Sequence, residues 1–277
     1  MMSVDCLAMS PGSRRVAGGC SALGKAATRA SAHTDAVRDS SEILRGLARS
    51  YLFDGMAETV LAPLAAVVTT RRYVRGEYVW RLGDPAEEIC VVLEGEVKDS
   101  VTDADGFELI HFVHGTGMTF GEPGFFAVDR HRVVENVALE PSELILMRRR
   151  ELQPFIDRYP VIKDRVLERL ASDLRWQSLM IMSVYRRSLA DRVALRLLEL
   201  VDSSNDGEPV TPKISQSTLA SMIGVSRENV NRALAGLVSD GLVRYESGRY
   251  MIVDAAALRD RIGSDWPSVL RRDRRSV

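Results

Sequence analysis

Hydrophobic positions recur along this chain with two different periods, and the changes of period divide it. From Ser41 to Val67 the spacing is helical: Ser41 can cap Glu42–Arg49, and Met56, Val60, Leu61 and Leu64 continue the pattern, with Pro63 interrupting. Alternation then takes over in short segments: Val67–Val74, Tyr78–Arg81, Ile89–Leu93, Glu96–Val101, Glu108–Val113, Asn136–Leu139 and Glu143–Met147. Turn signals such as Gly83-Asp84-Pro85 and Asp105-Gly106 separate them. Many short strands at regular spacing predict an antiparallel jelly-roll β-barrel over 41–159.

After Pro160 the helical period returns. Leu167, Leu170, Leu174, Gln177, Ile181 and Val184 alternate spacings of three and four, and only Gln177 breaks the apolar series. A stripe that narrow is the seam of a two-helix coiled coil, so residues 160–187 are expected to form a dimerisation helix against a second copy. Another amphipathic helix covers Ser188–Val201, followed by a polar loop, Asp202–Thr211, expected to be mobile.

The stretch from Ile214 to Val243 reads as two helices around a tight turn. Ser215 can cap a helix over Gln216–Met222, Gly224 supplies the turn, and Ser226 caps a second helix to about Ser239 that Gly241 ends. On the second helix Val230, Ala233, Leu234 and Leu237 share one face; Glu228, Asn231, Arg232 and Ala235 share the other, with Arg227 on its flank. A hairpin follows, Leu242–Tyr245 and Tyr250–Val253 around Ser247-Gly248, completing a winged helix-turn-helix over 188–262. An amide, a carboxylate and two guanidinium groups near a helix N-terminus suit base edges in the major groove. The candidate DNA-contacting set is Ser215, Gln216, Ser226, Arg227, Glu228, Asn229, Asn231 and Arg232. The fold class is therefore α+β: a barrel, a long dimerisation helix and a C-terminal winged helix-turn-helix domain.

Composition narrows the function further. The 277 residues carry a net charge of −1, which argues against a non-specific nucleic-acid coat but leaves room for a local reading face. Three cysteines, Cys6, Cys20 and Cys90, make no disulfide framework and too few thiolates for an iron–sulfur cluster in the ordered part. No apolar run approaches a membrane span, and the expected compartment is the cytoplasm. Residues 1–40, rich in Ala, Ser, Gly and Arg, have too few large apolar groups for a core and are expected to be a disordered, dispensable extension; 263–277 form a tail.

The run Gly224-Val225-Ser226-Arg227-Glu228-Asn229-Val230-Asn231-Arg232 resembles the helix-turn-helix of the Crp/Fnr family of bacterial transcription regulators, and the likeness extends from about residue 42 to 255. The resemblance implies a cyclic-nucleotide-type sensor barrel, a palindromic double-stranded operator read by a homodimer, and contact with RNA polymerase. It also implies a G·C pair facing Arg227 in a TGTGA-like half-site. Family members that bind cyclic AMP carry a Gly-Glu and then an Arg-Ser or Arg-Thr that cage the phosphate and ribose. Phe120-Gly121-Glu122 matches and Arg132 falls at the arginine, but the next residue, Val133, has no hydroxyl to donate. On the long helix Gln177 and Ser178 take the positions that meet the purine, with Gln177 in place of the usual threonine. The effector set is thus Gly121, Glu122, Arg132, Val133, Gln177 and Ser178. A cyclic nucleotide is one candidate effector, and the sequence names none.

Two other function classes compete. A cupin-type metal enzyme needs two histidines one residue apart facing the lumen, whereas His111-Phe112-Val113-His114 has the wrong spacing, and no metal ligands are assigned. In a strand His111 and His114 face opposite sides, so they do not serve one metal or haem. A ligand-binding module whose winged helix contacts protein has no need of Arg227, Glu228 and Arg232 together.

Overall fold

The computed structural model describes residues 39–203 and 209–262. The expected extension lies outside them except for its last two residues, as does the 263–277 tail. The chain opens with α1 (Ser40–Arg49), a short 3-10 turn (Tyr51–Phe53) and α2 (Glu58–Ala65). The N-cap of α1 is Asp39, whose side chain accepts from the Ser41 amide, so Ser41, the expected cap, is instead the second residue of the helix. Pro63 sits within α2 without ending it.

Eight strands follow: β1 (Thr69–Tyr73), β2 (Tyr78–Trp80), β3 (Glu88–Glu94), β4 (Val97–Thr102), β5 (Glu108–His114), β6 (Thr119–Phe120), β7 (Glu135–Ala138) and β8 (Ser142–Arg148). They form two four-stranded antiparallel sheets, β1-β8-β3-β6 and β2-β7-β4-β5. The jelly roll is thus two facing sheets. The two-residue β6 is too short to show a period in the sequence.

Strands β3 and β8 are buried on both faces, and their alternation feeds two cores. Ile89, Val91, Ile145 and Met147 pack outward against Leu47, Leu52, Phe53 and Leu61 of the N-terminal helices. Cys90, Val92, Leu144 and Leu146 face inward to Tyr73, Trp80, Val97 and Phe120, between the sheets. A helix not read in the sequence, α4 (Arg149–Arg158), closes the outer core through Leu152 and Ile156. Pro154 within it masks the helical signal. Between β6 and β7 lies a one-turn helix, α3 (Glu122–Phe126).

The long helix α5 (Val161–Arg186) starts at Pro160 as expected. Its first turns anchor it to the outer core through Ile162 and Val166, and Leu170 is half-buried against that core. Leu170 therefore leans toward the barrel and not wholly into the seam. Leu167, Leu174, Ile181 and Val184 are exposed in the single chain, Leu174 at 65 % and Ile181 at 59 %.

The C-terminal domain comprises α6 (Leu189–Ser203), α7 (Gln216–Ile223), α8 (Arg227–Ser239), β9 (Val243–Glu246), β10 (Arg249–Ile252) and α9 (Ala255–Ile262). Its core joins Leu197, Leu219, Val230, Leu234, Leu237, Tyr250 and Leu258. The expected mobile loop is pinned at its end: Thr211 is buried, and its hydroxyl accepts from the Tyr250 amide at 3.0 Å. Helix α9 follows the hairpin without a sequence signal of its own; Leu258 and Ile262 fix it to the core, and its Arg261 bridges Asp191 of α6 and Asp240 at the end of α8.

Candidate DNA-reading helix and effector lumen

The two helices of the turn are set by their caps. The Ser215 hydroxyl accepts from the Thr218 amide at 3.0 Å, and the Ser226 hydroxyl from the Asn229 amide at 3.4 Å. Each satisfies a backbone donor that the first helical turn leaves over. Between them Gly224 takes φ 76°, a left-handed conformation that glycine adopts without a Cβ clash. The chain can therefore reverse in the space that brings α8 across α7.

With Val230, Leu234 and Leu237 buried, the rotation of α8 is fixed and Arg227, Glu228 and Arg232 are all exposed. Among the described residues none of these three makes a hydrogen bond or ion pair. Their donors and acceptors remain available to a partner outside the chain. Asn229 is half-buried; so is Asn231, whose side-chain oxygen is shielded and without a hydrogen-bond partner. Gln216 is half-buried near Tyr250, whose buried hydroxyl has no hydrogen-bond partner among the described residues and whose pKa burial raises. Of the eight expected contacts, Ser215, Ser226, Arg227, Glu228 and Arg232 are exposed, while Gln216, Asn229 and Asn231 turn partly inward.

The expected effector residues separate into two groups. Gly121, Glu122 and Arg132 converge at one end of the lumen. Gly121 has φ 102°, and a Cβ there would lie 2.9 Å from Arg132 Nη1 and 3.0 Å from Trp80, so only glycine fits. Arg132 is buried with its guanidinium 3.4 Å over the Trp80 ring. It donates to the carbonyls of Glu88 at 2.8 Å and Gly121 at 3.3 Å, while its Nε has no partner.

Glu122 is also buried, but its partner is not Arg132. Its carboxylate accepts from the Tyr51 hydroxyl at 2.8 Å. Burial raises the Glu122 pKa; a backbone hydrogen bond, the charge of Arg169 and the Tyr51 hydrogen bond oppose that rise. Arg169 on α5 is itself held to Asp173 at 3.0 Å. The cassette is thereby connected to the N-terminal turn and to α5. A surface ion pair between Glu122 and Arg132, the simplest structural alternative, does not form.

Val133 is 53 % exposed and lies outside the buried lumen, consistent with a residue that has no hydroxyl to offer. Gln177 and Ser178 are exposed on α5, and the Ser178 hydroxyl donates back to the Leu174 carbonyl at 2.9 Å.

Sequence reasoning missed Asp99 and Asn136, which lie beside His114 in the lumen. Asp99 on β4 is opposite Asn136 on β7 and Phe112 on β5. Its Oδ1 accepts from the Asn136 amide and lies 2.9 Å from His114 Nε2. His114 is 4 % exposed, and neither of its ring nitrogens makes a well-directed hydrogen bond, so the Asp99 contact is close but poorly angled. His111, on the opposite face of β5, is half-buried, and burial lowers its pKa. The readable signal was parity: Asp99 lies two residues from the inward-facing Val97.

Rings connect this lumen to the helices. Trp80 to Phe120 is 5.1 Å between centroids, Phe120 to His114 5.1 Å and Phe112 to Trp176 of α5 4.8 Å. The Arg196 guanidinium of α6 lies 5.5 Å from the Trp176 ring. Leu109 on β5 is 3.4 Å from where a Cβ on Gly224 would sit, so the edge strand of the barrel meets the turn before α8.

Residues 70–159 match the cyclic nucleotide-binding domain, and residues 191–261 match the Crp-like helix-turn-helix domain. The chain is 28 % identical over 219 residues to a CRP-like cAMP-activated global transcriptional regulator of Mycobacterium tuberculosis, covering 78 % of this chain and 97 % of the relative. It is 29 % identical over 211 residues to the cyclic AMP receptor protein of Thermus thermophilus, covering 76 % and 96 %. Among solved structures, the c-di-GMP responsive global regulator CLP of Xanthomonas campestris superposes with a TM-score of 0.62 at 24 % identity, covering 72 % of this chain and all of that one. That likeness supports the fold.

Proposed function

We propose, for a chain that belongs to the Crp/Fnr family of transcription regulators, that it reads a palindromic operator as a homodimer through Arg227, Glu228 and Arg232. The observation that carries this is the exposure of those three side chains, with no partner among the described residues, on a helix whose opposite face is fixed in a core. Arginine matches guanine O6 and N7 with two hydrogen bonds, and a carboxylate accepts from cytosine N4. Neighbouring positions on one helical turn read neighbouring base pairs. The exposed Leu174 and Ile181 supply the seam that pairs two such helices, which is the condition for reading a two-fold site.

The barrel is the regulatory half of this reading. A cyclic nucleotide is the effector we assign to it, held at the phosphate end by Arg132, whose buried Nε has no partner, and at the ribose by Glu122. A ligand that takes Glu122 competes with Tyr51 for it and alters the charge facing Arg169 on α5. The ring contacts from Phe112 to Trp176 and Arg196 give that change a packed route toward α6. By this reading the chain is no enzyme, works in the cytoplasm and contacts RNA polymerase. No described helix is long and apolar enough to cross a membrane.

Selection of bound sequences from random DNA, with and without cyclic nucleotides, tests the proposal. A two-fold motif with a G·C pair in each half-site is the expected product. Recovery of no enriched sequence under any condition would refute it.

A further inference from the structure

A polar group lies among the rings of the lumen. Sheet interiors are closely filled with apolar side chains, and a buried polar group without full pairing is costly. Here Asp99, His114 and Asn136 occupy the inward face of β4, β5 and β7 among Trp80, Phe112 and Phe120. Asn136 and His114 both approach the same carboxylate oxygen, Oδ1, and His114 is buried without a well-directed hydrogen bond. Such a set is underused by the protein itself and suits a ligand that carries donors.

Position says which part of a ligand would meet it. Arg132 and Glu122 mark one end of the lumen, and Phe120 connects that end to His114 through ring contacts. Asp99 follows next along this series, 2.9 Å from His114 and paired across the ladder with Phe112, whose ring lies against Trp176 of α5. A nucleotide with its phosphate at Arg132 would therefore bring its base to Asp99, beside flat rings suited to stacking.

We propose that Asp99 makes this lumen selective for guanine. The inference rests on the reading above, that the barrel binds a cyclic nucleotide. A carboxylate accepts two neighbouring N–H donors, and guanine presents that pair at N1 and the 2-amino group. Adenine presents an N1 lone pair at the same place, which faces the carboxylate with like charge and leaves it unpaired. Sites built to hydrogen-bond a donor reject analogues lacking it by large factors. The carrier of the guanine is a cyclic mononucleotide or a cyclic dinucleotide, since both present the same base edge.

Calorimetry on the full chain tests this with cyclic GMP, cyclic IMP, cyclic AMP and cyclic di-GMP. Inosine keeps the N1–H and lacks the 2-amino group, so the series grades the contact without any substitution. The expected result is cyclic GMP or cyclic di-GMP binding at least tenfold tighter than cyclic AMP, with cyclic IMP between cyclic GMP and cyclic AMP. Whichever guanine ligand binds more tightly identifies the carrier. Asp99→Asn, checked for folding by its circular dichroism, should lose the guanine preference. Cyclic AMP binding as tightly as the guanine ligands would overturn the inference and leave the nucleotide reading intact. A folded Asp99→Asn protein with unchanged preference would overturn the role of Asp99. Binding of none of the four would overturn the nucleotide reading and the inference with it.

Discussion

On α8 the charged groups point outward with their hydrogen-bonding capacity unused, whereas in the barrel the polar groups are buried or half-buried and held by neighbours from distant segments. Arg227, Glu228 and Arg232 come from the first two turns of one helix, and two capping serines and three apolar residues suffice to aim them. Glu122, Arg132, Asp99 and His114 come from two strands, a short helix and a loop, and Tyr51, Trp80 and Arg169 set where Glu122 and Arg132 point. A surface reader can be built locally and compared by its motif. A buried sensor depends on the whole shell, so small changes of shell change its ligand.

The largest expected effect separates the two regions outright. Leu174→Glu with Ile181→Glu puts two charges into the dimer seam while leaving the exposed monomer surface satisfied, each at a cost of roughly 3 kcal/mol or more to association. Light scattering should report a folded monomer, and operator affinity should fall by orders of magnitude. A variant that stays dimeric would place the dimer contact elsewhere.

The next effect belongs to the barrel alone. Tyr51→Phe leaves the buried Glu122 carboxylate without its hydroxyl partner, and stability should fall by about 1–3 kcal/mol in a denaturant titration. The C-terminal domain, whose core is a separate cluster, should melt with a smaller change.

Leu170 and Val133 show where sequence pattern was insufficient. Leu170 obeys the seam spacing, yet the outer core beside α5 draws it partly inward. Periodicity gives a face and not the neighbour that covers it. Val133 follows the matched arginine in sequence, but backbone bonds from Arg132 to Asp84 and Gly83 set the direction of that loop. Helix-turn-helix elements were legible because caps, glycine and a 3.6-residue period all act within a few residues. The pairing of Tyr51 with Glu122 spans 71 positions and left no local mark. Asp99 had left one, its parity with Val97, which a search for motifs alone passes over.

A smaller effect sharpens the barrel side. Burial raises the pKa of Glu122 above the ordinary carboxylate value of 4.5. Its contribution to stability is complete below that value and is lost as pH rises through the folded-state pKa. Glu122→Gln removes the titration, so its denaturant midpoint should decline less than that of the wild type as pH rises above 4.5. Parallel pH profiles would mean that Arg169 and Tyr51 already neutralise the cost of the buried charge.

The reading of DNA by α8 is tested most directly by titrating wild type and Arg227→Ala against the selected operator and single-substituted versions at two salt concentrations. We expect Arg227→Ala to lose about 1–3 kcal/mol on the matched site and to relax preference at one symmetric pair of positions. Equal weakening on every sequence, with a salt slope reduced by about one unit per contact, would show that Arg227 touches only phosphate and would contradict the account.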